Sequence, residues 1–310
     1  MINKKLLEKI YKMSEKELKN FVKQKLQKTY EHVICQDGFV FAQGTFPVLL
    51  VSHLDTVHKE CVREIVYSDN GNIISSPQGI GGDDRNGVYS VLEIIKKFNC
   101  SVLFCEQEEV GGIGAGKFIK SDLASELDFN YIIEFDRANA NDAVFYSCAN
   151  DEFEEFITRD FYKTAYGTYS DICEVAPSLG CAAVNLSCGY YKAHTTSEYV
   201  VLSEMENSIK AACDILARTT ENDKFEYVES EYSYDNFGGY YSQTYIDMGD
   251  YYSQKYYLIE YVTAYGETRY YDTIARSKAE AIGHFVMDNP KATYDSVIDV
   301  CVDKNVYEYM

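Results

Sequence analysis

Apolar and polar positions change their period along this chain in a way that separates helices from strands. Leu6, Leu7 and Ile10, then Leu18, Phe21, Val22 and Leu26, recur at helical spacing, and Ser14 with Glu17 has the spacing of a capping box between them. Two N-terminal helices are predicted. From His32 the period shortens: HVICQDGFVFAQ reads as a hairpin turning at Asp37-Gly38, and VLLVSHLD is a continuous apolar strand ending in polar residues. IVYSDNGNIISS is a second hairpin, turning near Asn70-Gly71. GIGGDDRNG then leads into a helix whose Val88, Val91, Leu92 and Ile95 share a face. SVLFCEQ is another buried strand, followed by a Gly-rich turn and a helical stretch from Ala115 to Ile119. NYIIEFD and CAAVNLSCG repeat the pattern of an apolar strand running into polar residues, and Ser203 to Ala217 is a closing helix.

Apolar strands alternating with amphipathic helices predict an α/β domain: a mostly parallel central sheet with helices on both faces. In such sheets ligands bind beyond the carboxyl ends of the strands. His53, Glu108, Glu109 and Asp136 all fall at those ends, the first sign of one shared site.

Composition shifts near Thr219. Residues 219–254 are acidic, Tyr-rich and poor in aliphatics, and read either as a linker or as an arm packed on the first domain. KYYLIEYVTAYGETRYYDTIA then predicts a hairpin near Gly266, a helix follows from Ser277, and DSVIDVCV supplies a last strand. The expected organisation is a catalytic domain over 1–218, an acidic Tyr-rich linker or arm over 219–254, and a small α+β domain of β-β-α-β order over 255–310.

The chain has 310 residues, 29 basic against 49 acidic, and a formal charge of −20. That balance argues against nucleic acid or an anionic membrane surface as partner, since phosphate binding needs a Lys/Arg surplus. No apolar run reaches bilayer length, and the basic N-terminal stretch lacks the uninterrupted apolar core of a signal peptide. The ten cysteines include no C-x-x-C pair and several lie in strand-like runs, which points to reduced thiols in a cytoplasmic protein.

Five short segments carry candidate chemistry, and each has a bland reading beside the functional one. His53 in H-L-D-T-V is either a capped loop histidine or a metal ligand held by Asp55. Asp83-Asp84, after Gly79, Gly81 and Gly82, is either a helix N-cap or a metal-bridging carboxylate. Glu108-Glu109 is a solvated loop pair, or two strand-end carboxylates whose repulsion a metal and a proton relieve. Asp136 is a ligand or an ion-pair partner of Arg137. His194, in A-H-T-T-S-E, is a ligand or an exposed loop residue, with Glu198 opening the next helix. Nitrogen and oxygen donors without thiolate suit zinc, manganese or cobalt.

Taken together, HLDTV, GGDDRNG, EQEEVGGIGAG, IIEFD and AHTTSEYV, spread over roughly Val48 to Leu202, resemble the two-zinc exopeptidases and amidohydrolases, a superfamily that includes peptidase T, glutamate carboxypeptidases and bacterial aminopeptidases. The resemblance implies a zinc exopeptidase-like fold and two divalent metal ions per chain, Zn²⁺ by default with Mn²⁺ or Co²⁺ also compatible. It makes His53 and Asp136 ligands of one metal, Glu109 and His194 ligands of the other, Asp83 the bridge and Glu108 the catalytic base. It also implies a cis peptide at Asp83–Asp84. Asp55 and Glu198 are the candidate supporting carboxylates. Only 57 residues separate Asp136 from His194 and 29 separate His53 from Asp83, too few for the inserted domains of some relatives, so a minimal catalytic core is expected.

The expected activity is metal-dependent hydrolysis of a peptide or small amide substrate, with an aminopeptidase as first reading. An N-acyl amino acid amidohydrolase or deacylase is the alternative enzyme. A binding module on the same fold, using the Tyr-rich C-terminal part as a contact or homo-oligomer surface, is the non-enzymatic alternative.

Overall fold

The computed structural model describes residues 2–146, 148–167, 169–228, 255–262, 268–275, 285 and 297–302. The chain divides into two compact units, Met1–Glu231 and Tyr232–Met310.

In the first unit, helices α1 (Lys4–Tyr11) and α2 (Glu15–Leu26) form where the apolar spacing predicts them. The capping box is realised: the Glu17 carboxylate accepts the Ser14 amide at 2.9 Å, and the Ser14 hydroxyl oxygen accepts the Glu17 amide at 3.4 Å. Strands β1 (Val33–Gln36) and β2 (Phe39–Ala42) make the first hairpin, with Gly38 at φ +94° in its turn. There follow β3 (Phe46–His53), the short hairpin β4 (Val66–Tyr67) and β5 (Ile73–Ser75), α3 (Gly82–Ile94), β6 (Cys100–Cys105), α4 (Ile113–Ile119) and β7 (Tyr131–Arg137). Next come β8 (Asp142–Val144), α5 (Asp151–Thr158), β9 (Lys163–Ala165), α6 (Ile172–Leu179) and β10 (Ala183–Ser187), then β11 (Tyr190–Tyr191), β12 (Tyr199–Val201) and α7 (Leu202–Arg218).

The main sheet has eight strands in the order β1-β2-β6-β3-β7-β10-β8-β9. Its centre, β6-β3-β7-β10, is parallel throughout, with antiparallel pairing of β2 on β6 and of β8 on β10. The continuous apolar runs are explained by burial on both faces. Along β3, Val48 and Leu50 enter one core while Leu49 and Val51 enter the other; along β6, Val102 and Phe104 oppose Leu103 and Cys105. Residues from α1, α2, α3, α5 and α7 close the first core, and residues from α4 and α6 the second.

A second sheet, β11-β12-β5-β4, is small and wholly antiparallel. It pairs Ile74 with Val200, fastening the segment just before Gly79 to the segment just after His194.

The first unit continues past Arg218. Phe225 donates its amide to Asn130, accepts from Ala182, and packs its ring 5.1 Å from both Phe153 and Phe156. Residues 219–228 thus pack on the rest of the first unit; the remainder of the Tyr-rich stretch, 229–254, lies outside the described residues. In the second unit, strands β13 (Lys255–Val262), β14 (Thr268–Ala275) and β15 (Val297–Val302) form an antiparallel sheet in the order β14-β13-β15, and Phe285 packs on Tyr261 and Tyr271. The helix expected from Ser277 lies outside the described residues. No described helix is long and apolar enough to cross a membrane.

Candidate metal centre

The carboxyl ends of β3, β6 and β7 lie side by side because their registers align: His53 pairs with Cys105, and Val51 with Glu134. His53, Glu109 and Asp136 at or just after these ends meet Asp83, from the start of α3, and His194, from the segment between β11 and β12. His53 Nε2 faces Asp83 Oδ1 at 3.1 Å and Asp136 Oδ1 at 3.3 Å. His194 Nε2 faces Asp83 Oδ2 at 3.1 Å and Glu109 Oε2 at 3.0 Å. Two triads result, His53–Asp83–Asp136 and Asp83–Glu109–His194, and each could hold a metal ion. Asp83 belongs to both, offering one oxygen to each. His53 is fully buried while the His194 side chain is 46% exposed, so the group opens to solvent on the His194 side.

Asp83 and Asp84 are joined by a cis peptide bond, and the two carboxyls face different surroundings. The Asp84 carboxyl turns inward, accepting the Ser52 hydroxyl at 2.6 Å, the His53 amide at 3.2 Å and the Gly87 amide at 2.8 Å. It therefore braces β3 against α3 while Asp83 faces the histidines. The last glycine of GGDDRNG has a steric cause: a Cβ on Gly87 would lie 1.9 Å from the Phe135 carbonyl oxygen.

Asp55 holds three parts of the site. One oxygen faces His53 Nδ1 at 3.2 Å and accepts the Glu108 amide at 3.0 Å; the other accepts the Glu109 amide at 3.1 Å. The His53 ring is thereby oriented with Nε2 toward the site. Glu198 plays the same part for the Gly-rich loop, accepting the amides of Gly81 and Asp83 and facing His58 Nε2 at 2.8 Å.

Charge is concentrated here. Burial would raise Asp83, but hydrogen bonds with His194 and His53 hold it well below the usual carboxylate range. Burial and the Asp83 charge push Asp136 up to about 7, and burial with the Asp136 charge pushes Glu108 up to about 9. His194 is lifted to about 11 by its bonds to Asp83 and Glu109. A buried oxygen of Glu109 (Oε1) has no hydrogen-bond partner. Crowded carboxylates, an imidazole nitrogen in each triad and an orphaned oxygen form a donor set that fits two divalent cations.

The bland alternatives of the sequence fare differently. Arg137 pairs with Asp142 at 3.3 Å rather than with Asp136. From β11, Tyr190 reaches the site, donating its hydroxyl to Asp136 Oδ1 at 3.5 Å, while Ser187, at the end of β10, donates to the Ala138 carbonyl and is packed away. Sequence reasoning missed His58, Ser170 and Asn185. Ser170 donates between Glu134 at 2.5 Å and Asp136 at 2.9 Å, and Asn185 closes a pair of bonds with the Asp136 backbone. His58 meets its partner 140 residues later, so no local spacing could reveal it.

No protein-family model matches this sequence, and no curated protein does. Solved structures do resemble the fold. The aminopeptidase PepT of Bacillus cereus aligns at a TM-score of 0.56 with 14% identity, over 68% of this chain and 96% of that one. A tripeptidase of Staphylococcus aureus aligns at 0.55 with 15% identity, over 69% and 97%. The TET1 peptidase of Pyrococcus horikoshii, which can assemble into a tetrahedron or an octahedral shell, aligns at 0.52 with 15% identity, over 68% and 98%. Backbone architecture, not sequence, carries these likenesses, and the chain shares the α/β fold of these solved peptidases.

Proposed function

We propose that this chain is a dinuclear metal-dependent hydrolase of peptide or amide bonds, most simply an aminopeptidase. The observation that carries the reading is the shared position of Asp83, whose two oxygens face two different histidines at 3.1 Å, each histidine having a further carboxylate of its own. His53 and Asp136 would hold one ion and Glu109 and His194 the other, with Asp83 between them; zinc suits this set by default, and manganese or cobalt also fit. Two such ions, when bound, supply a water of lowered pKa and polarise a scissile carbonyl.

The chain's own groups do the rest. Glu108 follows the end of β6 beside Glu109 and is the general base, moving a proton from the attacking water to the leaving amine. At about 9 its carboxyl is protonated at neutral pH in the metal-free chain, so positive charge in the triads is needed to bring it into its working form. Asp55 orients His53 and the Glu108–Glu109 backbone together. The half-exposed His194 side is the entry for substrate.

The test is Glu108→Gln. It should keep the fold and the metal while losing nearly all hydrolysis of aminoacyl reporters; undiminished turnover would reject the assignment. Reporters with a free amine set against N-acyl amino acids separate the aminopeptidase from a deacylase, because only the first needs the amine.

A further inference from the structure

Tyr169 bridges the two halves of the candidate metal centre without belonging to either triad. Its chain neighbour Ser170 donates to Asp136 at 2.9 Å, which ties this segment to the carboxyl end of β7. At the far end of the ring, the Tyr169 hydroxyl lies against Gly112, close enough that a Cβ on that glycine would strike it. Gly112 donates its amide to the Glu108 carbonyl at 2.9 Å, so the ring leans on the turn that carries Glu108 and Glu109. Glu109 faces the half-exposed His194 at 3.0 Å, and this is therefore the open side of the centre.

Tyr169 is 38% exposed, and on the turn beside it Val110 and Ile113 are 62% and 38% exposed. Apolar surface held in water next to reacting groups favours a ligand that covers it. Position decides which part of a ligand that is. In a peptide attacked at its first carbonyl, the first side chain branches from the carbon bonded to the scissile carbon. With Glu108 as base, that side chain falls within a few bonds of the turn from Glu108 to Ile113. Charge narrows the choice further. Burial, and then the charges of carboxylates that include Asp171, Glu174 and Glu108, raise the Tyr169 phenol, and the same carboxylates repel an anionic side chain brought to the ring.

We propose that Tyr169, with Val110 and Ile113, forms the wall that receives the first side chain of the substrate, and that the site therefore selects peptides beginning with a large aliphatic or aromatic residue over those beginning with a small or acidic one. The ring is the specificity element, since it offers a broad apolar face fixed at both ends, by Ser170 on the Asp136 side and by Gly112 on the Glu108 side. The substrate class rests on the proposed hydrolase activity. Contact between an apolar side chain and Tyr169 does not depend on turnover.

The experiment measures kcat/KM of the metal-loaded full chain on leucyl, phenylalanyl, alanyl, glutamyl and lysyl para-nitroanilides, which share one leaving group, for wild type, Tyr169→Ala and Tyr169→Phe. Wild type should favour the leucyl and phenylalanyl reporters over the alanyl and glutamyl ones by roughly tenfold or more. Tyr169→Ala should lower the leucyl-to-alanyl ratio by roughly tenfold, and Tyr169→Phe, which keeps the ring, should preserve it. The ratio is insensitive to a general loss of active protein, so a merely structural role for Tyr169 would leave it unmoved. An unchanged ratio in Tyr169→Ala, or a wild type that prefers the glutamyl or lysyl reporter, overturns the proposal. Binding of L-leucine hydroxamate and L-alanine hydroxamate, metal-chelating probes that need no turnover, is read by calorimetry on the same proteins. A chain that cleaves none of the reporters rejects the hydrolase reading, and the hydroxamates still decide this one: leucine hydroxamate should bind more tightly than alanine hydroxamate to wild type and lose that advantage in Tyr169→Ala. Equal affinities for the two probes in wild type would overturn the wall.

Discussion

Glu198 accepts the backbone amide of Asp83 at 3.1 Å across 115 residues of chain. Its other oxygen takes the Gly81 amide and faces His58, so one carboxylate fixes the loop that presents the shared Asp83. Replacing Glu198 by Gln puts an amide N–H₂ against donors. We expect metal affinity to fall by roughly 10–100-fold, the usual effect of losing an outer partner, with little change in melting temperature. Competition with a fluorescent chelator measures it, and unaltered affinity would remove Glu198 from the account.

Asp55 makes a sharper prediction because it acts on both halves of the site. In Asp55→Asn the amide can no longer accept from His53 Nδ1, Glu108 and Glu109 together. Turnover should drop by roughly 10–100-fold even when metal is supplied in excess, since the base and a ligand are both released from their positions. Full activity at saturating metal would show that Asp55 is structural only.

Proton release follows from the charges. In the metal-free chain His194 is raised to about 11 by Asp83 and Glu109, and His53 is raised because the Asp136 charge and its carboxylate bonds outweigh the burial that would lower it. His194 is thus protonated at pH 7 and His53 is biased toward its protonated form, yet an imidazole must be neutral to ligate. Metal binding should therefore release more than one proton per ion, since Glu108 must ionise as well as the imidazoles, and affinity should fall as pH falls. Titration calorimetry in buffers of different ionisation enthalpy reads this directly; heats independent of buffer would contradict it.

The end of the first unit is also testable. Phe225 packs on Phe153 and Phe156 and hydrogen-bonds to Asn130 and Ala182. A chain cut after Glu231 should keep the stability of the first unit, whereas one cut after Arg218 loses Phe225 and should be less stable by about 3–5 kcal/mol, the scale of removing a buried aromatic. Equal denaturation midpoints would refute the role given to residues 219–228.

Much of this was legible in the sequence because the physics behind it is local. Continuous apolar runs such as Val48–Val51 announce two-sided burial, and the polar residues that end them mark the carboxyl edge where sites form. The order His53, Asp83, Glu108-Glu109, Asp136, His194 could be read for the same reason. What stayed hidden depends on contacts between distant segments. The stretch that forms β8, α5, β9 and α6 has no strong period of its own, and β9 is only three residues long. The small second sheet exists because Ile74 meets Val200, which neither segment announces alone. Ser170 and His58 act through partners 34 and 140 residues away. Composition left 219–254 open between a linker and a packed arm; residues 219–228 pack on the first unit through the ring of Phe225, which an acidic composition does not announce.

The most direct test of the shared Asp83 is a metal count on purified, metal-loaded chains by elemental analysis. The account predicts two ions per chain for wild type and for Glu108→Gln, one for Asp136→Ala and for Glu109→Ala, and fewer than one for Asp83→Ala. A wild type that holds one ion or none, or an Asp83→Ala that still holds two, would contradict it.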